Sequence, residues 1–294
     1  MSLRSLLRVV LVAALVLAGA APATAQPDRG LDSCVPADMR NGAISFRTED
    51  HVVLHGLVLG SGTRGVLLAP GAVESVCAWF PLAWELVDDG YRVLLYQSRS
   101  GPIPTGTYRY DLDLRAASLE LGRLGVTSVV AGGAGSSATA VAATAEKIAG
   151  LKGVVLLSPY AGAIIGTELD AAAGLRAARV PSFVAAAQDD VIDIQEFGEG
   201  RTLMADDARQ VAGAVQDARL RIVPGEAAGT ELIEDPAMRD EVRAFVREVA
   251  PPPTFVERWK APITGVVLLV LVVAGVVVVR RRTTTTPPGV SAGN

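Results

Sequence analysis

Residues 126–142, VTSVVAGGAGSSATAVA, run from a β-branched apolar stretch through a glycine cluster into a string of small residues. Val126 to Val130 favour an extended strand. Gly132, Gly133 and Gly135 allow a reversal too sharp for side chains, and the small residues after Ser136 continue as a helix. A strand that passes through a tight turn into a helix is the repeating part of a parallel sheet. This stretch therefore commits the chain to an α/β architecture.

The surrounding sequence repeats that alternation. Apolar runs at 43–48, 52–59, 65–69, 93–96, 153–157, 182–187 and 220–223 read as strands beside the one at 126–130. Helical spacing at 74–89, where Val76, Phe80, Ala83, Trp84 and Val87 share a face, ends at Gly90. Further helices are expected at 111–124, from the glycine turn to about 149, at 168–179, within a helix-rich stretch 194–218, and at 236–249. Unbroken apolar strands imply a parallel sheet covered on both faces.

The two ends carry addresses. Arg4 and Arg8 precede an apolar run to Ala20, and Ala23-Thr24-Ala25 supplies small residues for cleavage before Gln26. That order predicts a signal peptide over 1–25, with 26–42 as a lead-in to the domain at 43–250. Pro251, Pro252 and Pro253 open a stiff spacer, 251–262. Residues 263–279 carry no charge and are followed by Arg280, Arg281 and Arg282. This predicts a single transmembrane helix, the main domain outside and a basic, Thr- and Pro-containing tail, 280–294, inside. Ala261-Pro262-Ile263-Thr264-Gly265 also resembles the LPxTG signal cut by sortases, which makes cell-wall attachment the rival expectation.

Cys34 and Cys77 are the two cysteines, and both fall in the exported part. In an oxidising compartment they are expected to pair. Closing a loop of about 44 residues would contribute roughly 4 kcal/mol and tie the lead-in to the domain.

Several local marks resemble the α/β-hydrolase family over about residues 44–249. Asp88-Asp89-Gly90-Tyr91-Arg92-Val93 resembles the join before its fourth strand, and Val154-Val155-Leu156-Leu157-Ser158-Pro159 the strand after its elbow helix. Val180-Pro181 with Ala187-Gln188-Asp189-Asp190 resembles the strand that ends in the family's acid. Val223-Pro224-Gly225 with Gly229 resembles the loop that carries its histidine. The fold expected is an eight-stranded, mostly parallel sheet with helices on both faces.

The family places a serine in a G-x-S-x-G elbow, then an acid, then a histidine. Here the elbow reads Gly133-Ala134-Gly135-Ser136-Ser137, so Gly135 stands at the nucleophile position; a shift of one residue puts Ala134 there. The acid falls on Asp190, with Asp189 adjacent, and the histidine position on Ala228. The chain's two histidines, His51 and His55, are placed in the second strand, well before the elbow. Without an imidazole, nothing titrating near neutrality takes a proton from a serine. Ser136 and Ser137 remain as displaced nucleophiles or as caps of the helix. Lys147, eleven residues beyond Ser136, is about three helical turns away and too far to assist. After the third strand, Pro70 stands in a region where the family binds an oxyanion, and it has no N–H to give.

The glycine turn has neither a Gly-Lys-Ser/Thr nor a dinucleotide spacing, and the histidines lack companions at ligand spacing. No cofactor or metal is expected. A net charge of -4 gives no basic surface for nucleic acid. The expectation is an exported, membrane-anchored binding or scaffold protein of the cell envelope, with an unidentified small-molecule or protein ligand. The alternative is an envelope esterase or peptidase-like enzyme that uses Ser136 or Ser137.

Overall fold

A computed structural model describes residues 30–72, 74–99, 108–162, 169–193, 201–252 and 254. Its main sheet contains β1 (Ala43–Arg47), β2 (Val53–Leu59), β3 (Arg64–Ala69), β4 (Arg92–Tyr96), β5 (Ser128–Ala134), β6 (Leu151–Leu157), β7 (Ser182–Ala187) and β10 (Ala218–Val223). The order across the sheet is β1-β2-β4-β3-β5-β6-β7-β10. β2 is antiparallel to β1 and β4, and every other pairing is parallel. The eight expected strands are thus present in one sheet.

Alternation along each strand splits the core. Leu67, Leu94, Ala131, Leu156 and Val184 face one layer of helices: α2 (Tyr110–Arg123), α3 (Ser136–Thr144), α4 (Ala171–Ala178) and α5 (Met204–Ala212). Their neighbours Leu68, Leu95, Val130, Val155 and Phe183 face α1 (Phe80–Asp88) and α6 (Pro236–Val249). Side chains on successive strand residues point to opposite faces, which is why unbroken apolar runs serve both layers. Burying each such leucine or valine is worth roughly 1.5–3 kcal/mol against leaving it exposed.

Helix ends follow local chemistry. Asp235 accepts from Ala237 N at 3.0 Å and Pro236 occupies the first turn of α6. Asp170 caps α4 through Ala173 N, and Arg179 closes it in a left-handed conformation.

The lead-in is a fastened strap. Leu31 and Val35 are buried in the layer of α1 and α6. Cys34 and Cys77 form a disulfide with Cα atoms 6.3 Å apart. The Asp32 carboxylate accepts from Ser75 Oγ at 2.7 Å, from Val76 N at 3.2 Å and from Gln97 Nε2.

Four expectations need correction. Of the stretch 194–218, residues 194–200 lie outside the described residues. The rest opens as a strand, β9 (Arg201–Leu203), antiparallel to β8 (Val191–Asp193), before the expected helix, which is α5 and ends at Ala212. The helix expected from 74 begins as a 3₁₀ turn, Val76–Trp79, because Ser75 accepts from Cys77 N and tightens the entry. His51 lies in the turn before β2 at φ 67°, so only His55 belongs to that strand. The helix expected to run to about 149 ends at Thr144, followed by the 3₁₀ turn Ala145–Lys147. Among the described residues no helix is long and apolar enough to cross a membrane. The signal-peptide, 263–279, LPxTG-like and tail expectations lie outside the described residues.

Candidate functional site

The parallel strands end at one edge of the sheet, and the loops after β3, β5, β6, β7 and β10 meet there. β5 ends at Ala134, paired with Leu157 of β6. Gly135 then turns the chain at φ 52° and ψ -123°, and Ser136 opens α3. The turn is held by Gly135 N–H to Leu157 O at 2.9 Å and by Thr139 N–H to Gly135 O at 3.2 Å. Gly133 is required by close approach, since a Cβ there would lie 2.6 Å from the Ser137 carbonyl and Ala138 N. Gly135 is different: a Cβ built on it meets nothing within 4 Å. The residue that projects outward from the elbow is therefore Gly135, and Ala134 is the buried last residue of the strand. Of the two frames expected from the sequence, the backbone turns at Gly135 and not at Ala134.

Asp190 follows β7 and is 3% exposed. Its carboxylate accepts from Ser158 Oγ at 2.8 Å, and Ser158 Oγ accepts from Gly229 N at 3.1 Å. Burial pushes the Asp190 carboxyl above its ordinary range; the Ser158 hydrogen bond opposes this and the nearby Glu231 charge adds to it. Ala228 lies one residue before Gly229, in the loop after β10, and its N–H donates to Glu231 Oε2 at 3.0 Å. The loop thus stands beside the acid, but position 228 offers no group that could relay a proton. His55 is on the outer strand pair, where its Nδ1 lies 3.1 Å from Ser45 Oγ.

Glu74 opens the helix expected from 74, and its spacing in the sequence points to no further role. Its Oε2 accepts from Gly71 N at 2.7 Å and its Oε1 from Thr230 N at 2.8 Å. One carboxylate thereby clasps the loop after β3 to the loop after β10. Gly229 sits at φ 52°, which favours glycine, and a Cβ on it would push Glu74 Oε1 aside. The first amide after Pro70 is thus already engaged by Glu74.

The two serines after the turn differ. The Ser136 hydroxyl interacts with the phenols of Tyr110 and Tyr160, both raised above the ordinary tyrosine range by burial, Tyr110 to about 12. A phenol held protonated at neutral pH is a donor and no base. Ser137 is 1% exposed, and among the described residues its Oγ has no hydrogen-bond partner. Neither serine caps α3: the cap position is Gly135, with no side-chain cap. Lys147 ends the 3₁₀ turn after α3, at the helix end away from the elbow.

No family model matches the chain, and no curated protein matches it either. Solved structures do match. An esterase of Pyrococcus furiosus is 17% identical at a TM-score of 0.58, with 76% of this chain and 99% of that chain covered. An esterase of a Rhodococcus species is 16% identical at a TM-score of 0.55, covering 71% and 100%. A carboxylesterase structure from Nitrososphaera gargenis is 13% identical at a TM-score of 0.54, covering 69% and 98%. Strand order, elbow and these likenesses together define the class: the domain has the α/β-hydrolase fold.

Proposed function

We propose that this is an extracytoplasmic, membrane-anchored protein of the cell envelope whose α/β-hydrolase domain binds or organises a ligand and performs no serine hydrolysis. The observation that carries the reading is Gly135. The elbow holds its backbone at φ 52° and ψ -123°, leaves space above it, and has no side chain to place there. Ala228 is consistent with this, since Asp190 is satisfied by Ser158 in place of an imidazole. The disulfide between Cys34 and Cys77 supports an oxidising compartment. The order of basic, apolar and small residues at 1–25 and the uncharged run 263–279 support export and anchoring.

The rival reading is an envelope hydrolase that uses Ser136 or Ser137; the esterase activity named for the matched structures favours it. Treatment of the full-length protein with a fluorophosphonate probe, followed by peptide mapping, separates the two. No label on folded protein is expected. Label on Ser136 or Ser137 that disappears in the alanine variants would establish the rival.

A further inference from the structure

The two ends of the sheet differ in charge, most clearly where β6, β7 and β10 lie side by side. The turns entering these strands, 145–152, 176–181 and 213–219, carry Lys147, Lys152, Arg176, Arg179 and Arg219 against two acids, Glu146 and Asp217. The loops leaving β7 and β10, 188–193 and 224–235, carry seven acidic residues and no lysine or arginine. Arg219 is engaged by Glu248. Lys147, Lys152, Arg176 and Arg179 are exposed and, among the described residues, have no ion pair. Arg176 and Arg179 flank an open cleft of about 460 Å³ bounded on its other side by Val215, Gln216 and Asp217.

The chain leaves the domain at this same end. α6 runs from the elbow edge to the opposite edge, and Tyr91 Oη, beside the start of β4, donates to Ala250 O at 2.6 Å. Twelve residues, 251–262, separate Ala250 from the uncharged run. Fully extended they reach at most about 40 Å.

We infer that the basic turns at 145–152, 176–181 and 213–219 dock on an anionic phospholipid surface, with the elbow facing away from the bilayer. Membrane fields act within a Debye length, about 8 Å at physiological salt, and each basic side chain near such a surface shifts binding roughly fivefold. A tether that keeps the domain within tens of ångströms leaves the orientation to this charge. The acidic loops around Asp190 are repelled and stay open to solvent. The tether rests on the anchored reading above; the charge asymmetry does not.

The test uses the full chain incorporated in vesicles of phosphatidylcholine alone or mixed with phosphatidylglycerol, followed by amide hydrogen exchange. Exchange in the three basic turns is expected to slow about fivefold or more on the mixed vesicles at low salt and to recover at high salt, with 188–193 and 224–235 unchanged. The Lys152→Glu/Arg176→Glu/Arg179→Glu variant should lose that protection while keeping the wild-type circular dichroism. The matching glutamine variant should fall between the two. Equal exchange on both lipids, or protection of the acidic loops, would overturn the proposal. Failure of the wild type to float with phosphatidylcholine vesicles at high salt would count against the anchor alone. Docking would then be read from flotation with the mixed vesicles at low salt, where binding lost in the charge-reversed variant sustains it and absence of binding overturns it.

Discussion

Ser158 Oγ lies 2.8 Å from the Asp190 carboxylate and takes the Gly229 N–H at 3.1 Å, so one hydroxyl joins the carboxylate after β7 to the loop after β10. Ser158→Ala would leave a buried carboxylate and a buried amide without partners. The expected cost is about 1–3 kcal/mol, read from urea unfolding. Because burial holds the Asp190 pKa above its unfolded value, its ionisation opposes folding. Its contribution is fully present below the unfolded pKa and is lost as pH rises through the folded one. Asp190→Asn should remove that part of the pH dependence and leave the domain relatively more stable at neutral pH.

Asp89 behaves oppositely. Burial disfavours its charge, but Arg243 and Arg247 outweigh this and hold the carboxyl at about 2. Arg243 grips it at 2.7 and 2.8 Å. A lowered pKa stabilises above the unfolded value, and that stability is lost as pH falls from about 4 toward 2. Thermal unfolding across this range should show the loss, and Asp89→Asn should flatten it while lowering stability at pH 7 by about 1–3 kcal/mol.

Glu74→Ala should free the Gly71 and Thr230 amides at once. Their hydrogen exchange is expected to speed up, with a stability loss of about 1–2 kcal/mol. Glu74→Gln keeps one acceptor oxygen and should lose less. Equal behaviour of the two variants would show that a single acceptor oxygen does not hold the clasp.

Gly135→Ser has room for its Cβ and should fold, at a cost of about 1–2 kcal/mol for a side chain at positive φ. Alone it should give no esterase turnover. Adding Ala228→His supplies the base, and p-nitrophenyl acetate hydrolysis should rise about 10²-fold or more over the single variant, with fluorophosphonate label at position 135. No gain in the double variant would mean that Ser158 keeps Asp190 from the introduced imidazole.

Replacing Cys34 and Cys77 together by serine should lower stability by roughly 4 kcal/mol and loosen the strap that buries Leu31 and Val35. Limited proteolysis within 30–42, absent in the oxidised protein, is the corresponding readout.

Local pattern made much of this legible. Gly132, Gly133 and Gly135 after a β-branched run mark the strand-to-helix turn, and the apolar run 182–187 marks the strand that Asp190 follows, because each of these signals is local in the sequence. What stayed hidden depends on long range. Glu74 meets Thr230 156 positions later, and Ser158 meets Asp190 32 positions later. Neither partnership leaves a trace in spacing. β8, three residues long, is too short to show a period, so Val191 and Ile192 passed for a loop leading into helix. His51 reads as strand in the sequence because the tight turn that holds it at φ 67° has no glycine to announce it.

The glycine at the elbow also has an energetic meaning. A side chain held at φ 52° is strained by about 1–2 kcal/mol, and glycine carries no such strain. A serine at 135 without a histidine at 228 adds strain and no base, and a histidine without that serine has nothing to activate. Serine chemistry at position 135 therefore demands two substitutions together, neither useful alone.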